Sequence, residues 1–156
     1  MYPIVSVILT YDSKRAITVT KKDDREFWIR QYDLETYEKT FDMQIGGNPD
    51  SFIRTKEVEQ NDKGTKYAIV FIDDGKFKLR VFDKEKKEQH QFVDEEVDIN
   101  SFLGINDYTM PIQGFADPFI TCSFITDTKV FVQVFYNADL THYHLIYDFE
   151  TRSIVG

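Results

Sequence analysis

A single cysteine, Cys122, stands in the 156 residues, which excludes an internal disulfide and suits a reducing compartment. It lies in Phe119-Ile-Thr-Cys-Ser-Phe-Ile, where a free thiol behaves as a small core residue, and no activating neighbour is visible in the sequence. Long hydrophobic runs are also missing. No window reaches the roughly 18 consecutive apolar residues of a membrane span, and Met1-Tyr-Pro-Ile lacks the basic patch and cleavage site of a secretory leader. The expectation is a soluble, cytoplasmic chain. Positive charge is in deficit: 19 Lys and Arg against 27 Asp and Glu give a formal charge of −8, which argues against nucleic acid and anionic membranes as partners.

Recognisable chemistry is absent as well. Gly-x-Ser-x-Gly, His-Glu-x-x-His and cysteine-nucleophile patterns do not occur. His142 and His144 lie two apart and share a face on a strand, but no third ligand stands at local spacing and His90 is distant. Asp23-Asp24 and Asp73-Asp74 lack the alternating spacing of a calcium loop and read as hairpin turns. Gly46-Gly47-Asn48-Pro49-Asp50 is a connecting turn with no phosphate-cradling pattern, and Asp83-Lys-Glu-Lys-Lys-Glu reads as a solvated hairpin. No catalytic residue, metal or cofactor is expected.

What the chain does have is aromatic, strand-forming sequence. Fourteen Phe and nine Tyr fall mostly among β-branched neighbours, as a pleated, half-buried surface uses them. Strand-length apolar runs occur at Ile4–Leu9, Ala16–Thr20, Phe27–Tyr32, Tyr67–Ile72, Phe77–Phe82, Phe119–Ile125, Val130–Tyr136 and Tyr143–Tyr147, separated by charged or Gly/Asp/Asn clusters. Helical periodicity is confined to one candidate turn within Asp94–Phe102. The fold class is all-β, with one core in one domain.

Internal repetition organises these runs. Tyr32-Asp-Leu-Glu-Thr, Phe82-Asp-Lys-Glu-Lys and Tyr147-Asp-Phe-Glu-Thr each end an apolar strand with an aromatic-Asp pair and a polar turn. Upstream, Val5–Thr36 and Phe119–Thr151 share one order of strand, turn, strand, turn, strand and aromatic-Asp over 32 and 33 residues. The middle copy keeps its second half, with its first strand placed at Ser51–Lys56. The copies span about 4–46, 51–93 and 119–156, and 94–118, containing Gly104, Pro111, Gly114 and Pro118, reads as a loop insertion.

Ile29-Arg-Gln-Tyr-Asp-Leu-Glu-Thr, Leu79-Arg-Val-Phe-Asp-Lys-Glu-Lys and Leu145-Ile-Tyr-Asp-Phe-Glu-Thr resemble the WD-repeat family of β-propellers, whose blades are four-stranded meanders with a third strand closing on an aromatic-Asp pair. The family's Trp is Tyr32, Phe82 or Tyr147 here and its Gly-His dipeptide is missing, so only the turn Asp carries over, onto Asp24, Asp74 and Asp139 as turn caps. The resemblance implies antiparallel meander blades of a propeller. About three blades are present where closed propellers use four to eight, so the expected architecture is completed by further chain segments or a partner.

As for function, the resemblance implies a non-enzymatic scaffold for protein partners within a cytoplasmic complex, with cytoskeleton-associated assemblies among the settings it implies. Trp28, Arg30, Arg80, Tyr108 and Phe115 are the candidate partner contacts. By alternation Trp28 shares a face with Arg30 and Tyr32, with packing between blades as its first reading and an exposed hot spot as its second. Two alternatives stand beside the scaffold: part of a propeller enzyme or small-molecule binder whose site lies outside this chain, and an autonomous β-barrel binding an apolar ligand.

Overall fold

The computed structural model describes residues 4–10, 12–23, 26–46, 53–88, 91–107, 118–137 and 139–156. Its strands are β1 (Ile4–Leu9), β2 (Arg15–Asp23), β3 (Glu26–Asp33), β4 (Lys39–Gly46), β5 (Ile53–Gln60), β6 (Lys66–Asp73), β7 (Lys76–Glu88), β8 (Gln91–Asp98), β9 (Phe119–Phe124), β10 (Lys129–Tyr136), β11 (Thr141–Asp148) and β12 (Ser153–Ile154). They form three antiparallel four-stranded sheets, each pairing its strands in chain order: sheet I is β1–β4, sheet II β5–β8 and sheet III β9–β12. The described strands therefore do not close into a barrel, and the barrel alternative is set aside. Among the described residues short turns such as the two-residue Asp74-Gly75 connect neighbouring strands, which is why no helix is needed between them. Among the described residues no helix is long and apolar enough to cross a membrane.

Sheet II lies between the other two. Successive side chains on a strand point to opposite faces, so Tyr67, Ile69 and Phe71 of β6 pack with Ile17, Val19, Phe27 and Ile29 of sheet I. Ala68, Val70 and Ile72 of the same strand pack with Val130, Val132, Val134 and Leu145 of sheet III. Both faces of β6 are thus enclosed, and its sequence Lys66-Tyr-Ala-Ile-Val-Phe-Ile reads as an unbroken buried run. Each wholly buried Phe or Ile contributes about 2 kcal/mol of transfer free energy.

The fourth strands of sheets I and II escape a search for apolar runs because only one of their faces is covered. In β4, Phe41, Met43 and Ile45 turn toward the core while Thr40, Asp42 and Gln44 do not. β8 extends to Asp98, into the segment expected to be a loop insertion, because its acids pair across the sheet: Arg80 binds Asp94 through two nitrogens at 2.8 and 2.7 Å, and Lys78 binds Glu96 at 3.0 Å. The helical turn follows as α1 (Ile99–Leu103), later than the Asp94 start expected. Asp98 caps it by accepting from the Ser101 N–H, and Gly104 ends it in the left-handed region at φ 68°. Asn100, 2% exposed, ties this turn to sheet II by accepting the Phe77 N–H at 2.8 Å. The first strand of the middle copy, expected at Ser51–Lys56, is β5 and runs on to Gln60; residues 51 and 52 lie outside the described residues.

Candidate functional site

The aromatic-Asp pairs become legible once the sheets are superposed by register. Asp33 and Asp148 end the third strands of sheets I and III, and Asp83 ends the pairing of β7 with β6; they lie directly opposite Arg15, Lys129 and Lys66 at the start of the second strands. Each Asp accepts the backbone N–H two residues on, from Glu35, Glu85 and Glu150, at 2.8, 2.9 and 2.8 Å. The residue after each Asp donates its N–H to the carbonyl just before the basic residue: Leu34 to Lys14, Lys84 to Thr65 and Phe149 to Thr128. The Asp is therefore a latch that bends the chain where its pairing with the second strand stops and pins it to the preceding hairpin. In sheet I the backbone N–H of Thr36, then that of Glu35, holds the Asp33 carboxyl below its ordinary range.

The aromatic partner of each Asp points the other way. In sheet II, Phe82 turns toward sheet I and meets Phe41 of β4, with ring centroids 4.5 Å apart; Tyr67 stacks on the same Phe41 at 4.8 Å. In sheet III, Tyr147 turns toward sheet II and its hydroxyl donates to Glu95 of β8 at 3.0 Å, where Arg152 also binds. Phe41 lies opposite Gln31 and Glu95 opposite Val81, each two residues before the Asp, so the two junctions use equivalent positions. The face holding the residues two, four and six before the Asp is here termed forward, and its opposite rear. Forward face I packs on rear face II, and forward face II packs on rear face III.

Polar side chains fill the margin of the first junction. Gln31, fully buried, donates to the Gly64 carbonyl at 3.2 Å and accepts from Lys84 Nζ at 2.9 Å and Thr40 Oγ1 at 3.0 Å. The Tyr67 hydroxyl donates to the same Gly64 carbonyl, and burial pushes its pKa up. Burial and then the nearby Arg15 lower the Lys84 pKa. Every one of these groups has a partner within the chain, so this cluster closes a seam between sheets.

Two faces remain: rear face I and forward face III. Trp28, Arg30 and Tyr32 stand on rear face I, pointing away from sheet II and half-buried. The Arg30 guanidinium lies 5.1 Å over the Trp28 ring, donates to Thr20 Oγ1 at 3.1 Å and pairs with Asp42 at 3.3 Å. Trp28 Nε1 donates to Glu26 at 2.9 Å. Among the described residues no sheet packs on this face. Arg80 holds the equivalent position in sheet II, and its guanidinium donates to the Gln44 carbonyl of sheet I at 3.1 Å, so it works inside the first junction.

Forward face III carries rings. Phe135 lies 5.5 Å from Phe119 and 4.8 Å from His142, and Phe131 lies 5.5 Å from His144. His142 and His144 do share this face, exposed, each against a phenyl ring. Among the described residues no group of three His, Cys, Asp or Glu is placed to hold a metal ion. Cys122 is 5% exposed, and burial followed by Glu57 and Glu59 pushes its thiol well above the ordinary range, the reverse of nucleophile activation.

Of the other candidates, Asp139 caps its turn, accepting the Thr141 N–H at 2.9 Å and the Tyr143 hydroxyl at 2.7 Å. Asp74 works through its backbone: with Gly75 it forms the two-residue turn between β6 and β7, at φ 48° and 82°. Asp24, Tyr108 and Phe115 lie outside the described residues. The basic members of the latch, Arg15, Lys66 and Lys129, were the residues sequence reasoning missed; a basic residue 17 to 19 positions before each Asp was the signal that could have found them.

No protein-family model matches the chain, and no curated protein matches it. Among solved structures it is similar to an uncharacterized protein from Listeria monocytogenes EGD-e, with 13% identity and a TM-score of 0.44 over 92% of this chain and 52% of that one. The chain spans about half the length of that protein.

Proposed function

We propose that the chain is a propeller-type scaffold for protein partners, divergent from the WD repeats, with sheets I, II and III as three successive blades. The observation that carries this reading is the sense of stacking: twice in succession a forward face packs on the next rear face, with the aromatic of the aromatic-Asp pair inserted against the preceding sheet. Stacking that repeats in one sense generates rotation about an axis, as blades require. Sheets II and III also come close at their first strands, where Glu57 of β5 accepts the Cys122 N–H of β9 at 3.2 Å, while β8 and sheet III are bridged by the long side chains of Tyr147 and Arg152. Closer approach at the first strands than at the fourth supports the reading of these sheets as neighbouring blades.

A scaffold of this kind offers rigid turns and sheet faces to other proteins, and the acidic surface selects protein over nucleic acid. Cross-linking mass spectrometry on the chain isolated from its native cell tests the reading. Cross-links joining Lys14, Lys63 or Lys129, at the turns between first and second strands, to lysines of another protein support it. A chain recovered without any cross-linked protein overturns it.

A further inference from the structure

The geometry points to a phosphate-binding site at the latch end of the seam between sheets I and II, with Arg15 of β2 and Lys84 of β7 as the two cations that hold a phosphate dianion. Each sheet supplies one of them. A Cβ on Gly64 would lie 3.1 Å from Gln31 Nε2 and 3.4 Å from Arg15 Cδ, and Lys84 Nζ stands 2.9 Å from Gln31 Oε1. Both half-buried cations therefore flank one buried amide.

What sets this pair apart is that neither member is matched by an anion. The chain carries a formal charge of −8, and Arg30, Lys39, Lys66, Lys78, Arg80 and Lys129 each sit in an ion pair. Among the described residues Arg15 and Lys84 do not: Arg15 Nη1 donates to the Lys63 carbonyl at 2.8 Å, and Lys84 donates to Gln31. The acids whose charge reaches Arg15 are committed to their own turns. Asp33 accepts the Glu35 and Thr36 N–H groups at 2.8 and 3.0 Å, and Asp12 accepts the Thr10 hydroxyl at 2.6 Å and the Lys14 N–H at 2.9 Å. The Lys63 ammonium, next along the turn, is drawn to Asp127 of sheet III at 3.3 Å.

Two like charges at one half-buried seam repel, and Arg15 adds to burial in lowering the Lys84 pKa. An anion between them relieves that repulsion and ties sheet I to sheet II. Closing the seam uses only part of the N–H capacity of a guanidinium and an ammonium, and the remaining N–H groups make short, charge-assisted bonds to phosphate oxygens. A dianion matches the charge of both cations, where a carboxylate matches one. The site rests on this seam alone and holds whether or not the sheets are blades.

NMR titration of the isotope-labelled chain with inorganic phosphate tests this, at constant ionic strength and pH 8, where phosphate is a dianion. The Gln31 side-chain amide and the Gly64 backbone amide are the reporters. Both should shift and saturate, with affinity lowered about tenfold in Arg15→Gln and in Lys84→Gln by the loss of a charge-assisted bond. Lys14→Gln, at the exposed neighbouring lysine, should bind as the unaltered chain does. Thermal unfolding without phosphate checks that each variant folds, and added phosphate should raise the unfolding temperature of the unaltered chain more than that of either site variant. A phosphoserine peptide that saturates at lower concentration than inorganic phosphate supports the site as one for phosphorylated polypeptide; equal or weaker binding of the peptide supports free phosphate. Shifts that do not saturate, an equal loss in Lys14→Gln, which marks diffuse attraction, or acetate binding as tightly as phosphate overturns the inference.

Discussion

Lys66 and Asp83 face each other across β6 and β7 as a buried ion pair, 6% and 2% exposed, with the ammonium 3.7 Å from the carboxylate. Lys66 is shared with Glu85, the residue whose N–H Asp83 accepts, so one turn and one ion pair are a single device. In sheet III Lys129 and Asp148 repeat the pair at 3.9 Å, whereas in sheet I Arg15 stands opposite Asp33 and donates to the Lys63 carbonyl instead.

Replacing Asp83 by Ala removes a turn acceptor and strips a buried cation of one partner, a loss of about 3 kcal/mol by comparison with other broken buried pairs. Asp83→Asn keeps the acceptor for the Glu85 N–H and loses only the charge, so it should fall between Ala and the unaltered chain. Asp33→Ala, at a solvent-facing latch, should destabilise the fold less than Asp83→Ala. Urea unfolding of the three variants measures this, and equal losses at Asp33 and Asp83 would refute burial as the source of the difference.

The strands that could be read from sequence are those buried enough to be apolar throughout, such as Tyr67–Ile72, or clearly bounded, such as Ile4–Leu9. β8 was hidden because Arg80 and Lys78 neutralise its acids from the neighbouring strand, a fact of register that composition does not carry. The aromatic-Asp repeat was visible, but not that its two members face opposite ways, the Asp to its own hairpin and the ring to the preceding sheet. Alternation placed Trp28, Arg30 and Tyr32 on one face. That this face points out of the stack depends on which sheet follows which, and only the packing of Ile29 and Phe27 against sheet II decides it.

Glu59 should make stability depend on pH in a particular direction. Burial, then the neighbouring Glu57, raises its pKa above the ordinary 4.5. Ionisation is therefore easier in the unfolded chain, and the favourable contribution of protonated Glu59 is complete below about pH 4.5 and lost as pH rises through the raised value. Glu59→Gln should accordingly unfold at a higher urea concentration than the unaltered chain at pH 7, with the gap closing by pH 4. A gain of the same size at both pH values would point to packing instead.

Cys122 should be inert in the folded protein. Its thiol is enclosed between sheets II and III, 3.9 Å from the Ala68 carbonyl, and its ionisation is opposed by burial and by two glutamates. Reaction with an aromatic disulfide reagent at pH 8 should proceed at the rate of protein opening and accelerate by orders of magnitude in denaturing urea. Immediate reaction in native buffer would contradict that enclosure.

Gly64 and Gly104 separate two costs that usually arrive together. Both sit in the left-handed region, at φ 65° and 68°, where a side chain is strained. A Cβ on Gly104 would meet nothing within 4 Å, whereas one on Gly64 would lie 3.0 Å from Thr10 Cγ2 and 3.1 Å from Gln31 Nε2. Gly104→Ala should therefore cost about 1 kcal/mol, the backbone strain alone. Gly64→Ala adds crowding at the seam between sheets I and II and moves the carbonyl that Gln31 and Tyr67 share, so its loss should be about 2–3 kcal/mol. Adding Gln31→Ala to Gly64→Ala removes one of the two side chains most closely crowded, leaving Thr10, so the two losses should sum to more than the double variant shows. Simple additivity in urea unfolding would mean that the cost at Gly64 does not come through Gln31, and that Gln31 closes the seam independently of it.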